Sequence, residues 1–160
     1  MDLLQRLRAA SERVYVDPYS QTGLSWKVDG PRTKAGSPAF ISKDKGGYYT
    51  GTINKVRWKA HRLVFALEHG YLPEFIDHID GDPSNNKVDN LRECTRTTNN
   101  QNHVRVDVRQ RRKTGGWQAR IQANGKRLSL GTFATKELAE AAYYAAKVKL
   151  HPTAPGRCYV

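Results

Sequence analysis

Apolar residues recur at Leu3, Leu4, Leu7, Ala10 and Val14, the spacing of one helical face, and predict a short amphipathic helix over residues 2–14. The pattern then switches to alternation. In "VYVDPYSQTGLSWKVDG", Leu24, Trp26 and Val28 follow Gly23 at every second position, so the stretch predicts two short strands around a turn. "GPRTKAGSP" interrupts both periods with glycine and proline and predicts a loop. "GGYYTGTINKVRWKA" predicts a hairpin. "HRLVFALEHG" predicts a helix whose Leu63, Val64 and Leu67 form one stripe, closed at Gly70 because glycine accepts the left-handed conformation that ends helices.

Further along, "FIDHI" predicts a strand, "DGDPSNNK" a loop or turn, and "VDNLRECTRTTNNQN" a run into a helix beginning near Thr97 or Thr98. Beyond a linker around residues 103–108, three short strands are expected at Val108–Arg112, Trp117–Gln122 and Lys126–Leu130, with the Asn-Gly of "ANGK" turning the second into the third. "TKELAEAAYYAAKVKL" predicts a helix with Thr135 as N-cap and Glu137 in the first turn, its face of Leu138, Ala142 and Ala145 placed against the sheet. The pattern is that of an α+β chain. Its length of 160 residues suits one domain or two small ones.

Charge sharpens the division. The chain carries 27 Lys plus Arg against 15 Asp plus Glu, a net charge of +12. Residues 1–106 hold 16 bases and 12 acids, whereas residues 107–160 hold 11 bases and three acids, so the last third is the denser polyanion-binding candidate. Aromatic residues interleave with the bases, and there is no long basic amphipathic helix, which favours nucleic acid over a membrane surface. No stretch approaches the roughly 18 to 20 apolar residues that cross a bilayer. "MDLLQRLRAASERV" mixes acid and base into its apolar pattern, unlike a signal peptide, and an intracellular location is expected. Cys94 and Cys158 stand far apart without a second Cys or His at clip spacing, so neither structural zinc nor a disulfide framework is expected.

Against this basic background, residues 74–93 gather Glu74, Asp77, Asp80, Asp82, Asp89 and Glu93 with only Lys87 and Arg92. Taken alone, Asp77 could cap a turn, His78 could be a hydrogen-bonded strand histidine, and "DGDPSNN" could be an ordinary loop or a calcium site. The chemistry that would use all of them is phosphodiester hydrolysis: a neutral histidine deprotonates water while a divalent metal relieves charge on the phosphorane and the departing 3′ oxygen. Adjacent strand residues face opposite ways, so Asp77 and His78 would converge only through a twist or bulge at the strand end.

"DHIDGDPSNNKVDNLRECTRTTNN" resembles the H-N-H nucleases of the ββα-metal fold, particularly phage and intron homing endonucleases. The matching positions are Asp77, His78, Gly81, Asn86, Asn90, Leu91 and Asn99, with "HRLVFALEHG" upstream. The resemblance implies that His78 is the general base and that Asn90 holds the two sides of the metal loop together while helping to orient the histidine. It implies that Asp77 and Asn99 ligate a divalent ion, Mg²⁺ first and Mn²⁺ second. The third family position is often His; here it is Asn99, with Asn100, Asn102 and His103 close enough to compete. An asparagine oxygen is a suitable hard ligand for Mg²⁺, which leans on substrate phosphate and water for the rest of its shell. His61 reads as a packing residue or a support for the catalyst, and His69 and His151 as exposed bystanders.

"VRQRRKTGGWQARIQANGKRLSLGTFATKELAEAAYYAAKVKL" resembles the Apetala-type, ethylene-response-factor DNA-binding domain over roughly residues 106–150, through "VRQR", Trp117, "ARI", "KRLSLGTF" and the alanine-rich helix. The resemblance implies that Arg109, Arg111, Arg120 and Arg127 face DNA from the three strands, with Lys113 and Lys126 on phosphates. Ser129 stands where plant members typically have Trp and Arg120 where they commonly have Glu, so the plant target sequence does not transfer. Trp117 reads equally well as core.

The combined expectation is an N-terminal ββα-metal nuclease domain over residues 1–104, its core at about 58–104, and a DNA-binding domain over residues 105–160, three antiparallel strands on one helix. Such a protein would cut double-stranded DNA to 5′-phosphate and 3′-hydroxyl ends as a monomer or homodimer. It would work in the cytoplasm of a bacterial host cell if phage-encoded. A catalytically inactive DNA-binding regulator, an RNA-binding or structural phage protein, and a packaging or defence nuclease are the alternatives.

Overall fold

Asp2 opens the first element with a reciprocal cap: its carboxylate accepts from the Gln5 amide, and the Gln5 side chain accepts from the Asp2 amide. The computed structural model describes residues 2–101, 106–113, 115–152 and 154. They divide into two compact units, Met1–Glu93 and Cys94–Val160.

In the first unit, helix α1 (Leu3–Ser11) buries Leu7 and Ala10 and leads into the hairpin β1 (Val14–Val16) and β2 (Leu24–Trp26), paired antiparallel with Val16 opposite Leu24. Beyond the loop that sequence predicts come β3 (Ser42–Lys43), β4 (Tyr49–Ile53) and β5 (Val56–Lys59), a small antiparallel sheet. Asn54 and Lys55 both take positive φ, 49° and 64°, the two-residue turn whose twist suits a hairpin. β3 was not legible because two exposed residues carry no period. Helix α2 (Ala60–His69) follows β5 directly, buries Leu63, Val64 and Phe65, and stops at Gly70 with φ 78°. These side chains, with Val14, Leu24, Phe40, Trp58, Ile76 and Leu91, form one core.

β6 (Phe75–His78) pairs with β7 (Leu91–Cys94), and a 3-10 turn over Val88–Asn90 precedes β7. Residues 88–102 are expected to run into a helix near Thr97 or Thr98, and the strand at 91–94 before it carries no signal in that reading. Leu91 is buried in the core and carries the chain past the loop in extended form. The helix that follows, α3 (Arg96–Gln101), begins at Arg96 rather than Thr97 or Thr98, with the Thr95 hydroxyl accepting from the Thr98 amide.

The second unit contains the sheet β8 (Asp107–Gln110), β9 (Trp117–Ala123) and β10 (Lys126–Phe133), antiparallel with β9 central, and helix α4 (Lys136–Leu150) packed on it. Asn124 and Gly125 both have positive φ at the β9–β10 turn, as the Asn-Gly signal requires. Thr135 caps α4 by accepting from the Leu138 amide.

The face of α4 is a correction. Ala139, Tyr143 and Lys147 are the buried positions, whereas Leu138 and Ala145 are exposed. Hydrophobicity pointed to leucine, but the helix sets the small Ala139 and the flat Tyr143 ring among Ala119, Ile121 and Ala123 of β9. Lys147 is covered by its neighbours, its ammonium 5.9 Å from the Tyr143 ring centroid. Among the described residues the whole is a mixed α/β chain of four α-helices and several small antiparallel sheets.

Candidate active site and nucleic-acid face

His78 ends β6 inside the first unit, 4 % exposed. Its Nε2 lies 3.1 Å from Asn86 Oδ1, and the Asn86 Nδ2 donates to the Thr22 carbonyl at 2.9 Å. His78 Nδ1 takes no hydrogen bond among the described residues. Two rings wall the imidazole: His61 from α2, centroid 5.0 Å away and nearly edge-on, and Tyr48 at 5.8 Å. Burial pulls the His61 imidazole down to about 3, and the nearby His78, Lys59 and Arg62 further disfavour a charge there, so this neighbour is neutral at physiological pH. Burial likewise raises the Tyr48 phenol, with the Asp44 and Asp77 carboxylates adding to it, so the phenol keeps its proton.

The loop between β6 and β7 is closed by Asn90. Its Oδ1 accepts from the Asp80 amide at 3.0 Å, while Nδ2 donates to the Asp80 carboxylate at 2.9 Å and to the Asn85 carbonyl at 2.8 Å. One amide thus ties together the two sides of the loop. The Asn90 backbone carbonyl also accepts from the Ile79 amide, and the Gly81 amide returns to the His78 carbonyl. Burial would raise the Asp80 carboxyl, but hydrogen bonds from Asn85, Asn90 and the Asp82 amide outweigh it and hold it below its ordinary value. Asp82 caps the next turn through Ser84. Much of the acidity that stood out in the sequence therefore knits the loop.

Asp77 and His78 are both buried and take different partners, so no convergence at a bulge is needed to place them. Asp77 Oδ2 accepts from Arg92 Nε at 3.1 Å and Nη2 at 3.0 Å, a pair across the β6–β7 sheet. Among the described residues no group of three or more His, Cys, Asp or Glu side chains could hold a metal ion. Asn99 is half-buried on α3, in the second unit. Asn102, His103 and the Asn100 side chain lie outside what the structure describes.

Sequence reading had matched Asn86 without a role, and had counted Arg92 merely as one of two bases in the acidic stretch. Tyr48 carried only a hairpin signal. Thr22 carried none, since it meets Asn86 across 64 residues.

In the second unit, strand pairing sorts the basic side chains. Arg120 lies opposite Asp107 and Ser129, Arg109 opposite Gln118, and Arg127 opposite Gln122. Arg109, Arg120 and Arg127 therefore share the sheet face away from Ala119, Ile121 and Ala123, the buried residues under α4. Asp107 stands between two of them, 3.1 Å from Arg109 Nε and 3.6 Å from Arg120 Nη2. Arg111 follows β8 and Lys113 sits in the next turn, both exposed. Lys126, opposite Ala123, lies on the other face from Arg127 and is exposed.

The loop stapled between β6 and β7, with the supported His78 imidazole at its entry, lies inside a segment that a family model recognises. Residues 59–101 match the family model of the HNH endonucleases. The match supports a nuclease, at family level a hydrolase acting on DNA, and nucleases of this family generally use a divalent metal. It places the domain mid-chain rather than N-terminal, because α1 and the strands β1–β4 precede it. No significant match is found among curated proteins or solved structures. No helix among the described residues is long and apolar enough to cross a membrane.

Proposed function

We propose that the protein is a metal-dependent endonuclease of double-stranded DNA, of the homing type found in phages. The observation that carries this reading is the held imidazole of His78, at the entry to a loop stapled by Asn90, inside the segment that matches the HNH endonucleases. His78 acts as general base: it takes a proton from water as the water oxygen attacks phosphorus and the bond from phosphorus to the 3′ oxygen breaks. The products carry 5′-phosphate and 3′-hydroxyl ends. By the resemblance, Asp77 and Asn99 would hold the ion, which would stabilise charge on the phosphoryl oxygens and the leaving oxygen. Asn90 ties the loop that follows the strand carrying both Asp77 and His78.

The second unit delivers the nuclease to its target as an Apetala-like reader. Arg109, Arg120 and Arg127 on their common sheet face, joined by Arg111, meet the duplex, with Lys113 and Lys126 on flanking phosphates. What supports this is the common face of the three arginines and the excess of 11 bases over three acids in residues 107–160.

Cleavage of supercoiled plasmid and phage genomic DNA with Mg²⁺ or Mn²⁺ tests the reading, with His78→Ala and chelation by EDTA as controls. Conversion by the wild type alone is expected, with His78→Ala slower by about 10²- to 10⁴-fold. The ratio of nicked to linear product counts the strands cut. Tight duplex binding with no cleavage of either DNA would replace the nuclease with a DNA-binding regulator.

A further inference from the structure

The Asn86 amide lies between two buried groups far apart in sequence. Its Nδ2 donates to the Thr22 carbonyl at 2.9 Å, and its Oδ1 stands 3.1 Å from His78 Nε2. A backbone carbonyl accepts and never donates, so Thr22 dictates which end of the amide faces it; turned round, the amide would set oxygen against oxygen. Oδ1 therefore faces the imidazole. The bond between them exists only if His78 Nε2 carries the proton.

The turn that supplies the carbonyl is held from its own side. The Thr22 hydroxyl bonds the Leu24 carbonyl at 3.0 Å, and the Gly23 amide bonds the Ser20 carbonyl at 3.0 Å. Gly23 has φ +77°, and a Cβ there would lie 2.9 Å from the Asn86 backbone oxygen and 3.1 Å from Val64 Cγ2. The turn reaches Asn86 because the residue is glycine.

We propose that Asn86, aligned by the Thr22 carbonyl at the Gly23 turn, is a positioning residue for His78: it holds the neutral imidazole in its Nε2–H tautomer and so presents Nδ1 as the proton-accepting nitrogen. This rests on the reading of His78 as general base. Thr22 and Gly23 lie outside residues 59–101, so a segment beyond the family match sets the geometry of the base.

The full chain with ¹⁵N-labelled histidine, studied by long-range ¹H–¹⁵N correlation at a pH where His78 is neutral, reads the tautomer directly. His78→Ala identifies the signal. The wild type is expected to show the Nε2–H pattern, and Asn86→Ala a mixture of tautomers with kcat lowered about tenfold or more and KM little changed. Loss of a buried amide also loosens the fold, so a glycine pair supplies the second arm. Gly23→Ala and Gly36→Ala incur the same backbone strain, at φ +77° and +78°, but a Cβ at Gly36 meets nothing within 4 Å. Both should lose stability to that strain, Gly23→Ala more because its Cβ also meets Asn86 and Val64, and at a temperature where both variants are folded only Gly23→Ala should slow cleavage. An Nδ1–H pattern in the wild type, or equal rates for the two glycine variants, overturns the proposal. A wild type that cuts no DNA overturns the nuclease reading, and the imidazole spectrum, which needs no activity, still decides the tautomer.

Discussion

His61 shows how a residue can matter by staying uncharged. Its imidazole would take up a proton near pH 6.5 in an unfolded chain but stays neutral in the fold down to about 3, chiefly because it is buried. Between those values the unfolded chain binds more protons, so stability rises with pH through this window and is lost on acidification through it, by at most about 1.4 kcal/mol per pH unit. Thermal denaturation should give a lower Tm at pH 5 than at pH 7.5, and His61→Phe should flatten that slope; an unchanged slope would place its origin elsewhere. Arg92 makes a second residue-scale prediction. It holds the Asp77 carboxylate with two N–H groups, and a cation at Asp77 has to compete with it. Arg92→Gln is expected to lower the Mn²⁺ concentration for half-maximal cleavage several-fold, and a rise in that concentration would count against Asp77 as a ligand. Asp77, His78 and Asn90 were singled out as candidates by the sequence because motif spacing is local. The partners that orient them, Asn86 excepted, were not: Thr22, Tyr48 and His61 arrive from other elements and share no period with the loop.

At the scale of elements, α4 separates what propensity sets from what packing sets. Its start was legible, because Thr135 satisfies the Leu138 amide whatever the helix packs on. Thr135→Ala should cost about 1 kcal/mol in chemical denaturation of the chain. Its buried face was not legible, since Ala139, Ala142 and Ala145 look alike in sequence. Ala139 is fully buried and Ala145 exposed, so Ala139→Leu should destabilise by about 1–3 kcal/mol and Ala145→Leu by less than about 0.5 kcal/mol. Equal costs would mean that α4 packs on another face. The hairpins were read from turn chemistry alone, while β7 escaped notice. "LREC" has no alternation strong enough to announce a strand, and its extended form comes from pairing with β6.

For the whole molecule, a charge of +12 makes association with a polyanion salt-dependent. If the arginines' common sheet face meets phosphate, the slope of log affinity against log salt should fall in magnitude by about 1 for each of Arg109→Ala and Arg127→Ala, measured by fluorescence anisotropy on duplex DNA. An unchanged slope would remove both arginines from the interface. Asp107 tempers that face by pairing with Arg109 and lying near Arg120, so Asp107→Asn is expected to tighten binding to any duplex without changing its preference among sequences.

Period, turn residues, caps and the spacing from Asp77 through His78 and Asn90 to Asn99 belong to the sequence itself, because each depends on neighbours a few residues away. They were enough to place most elements and to mark the loop that matches a nuclease family. The tertiary structure alone decided which side chains meet. It joined Thr22 to Asn86, set Arg92 on Asp77, walled His78 with two rings and chose the buried face of α4. Such pairings depend on chain closure over tens of residues and on the shape of a shared core, and no local pattern encodes either.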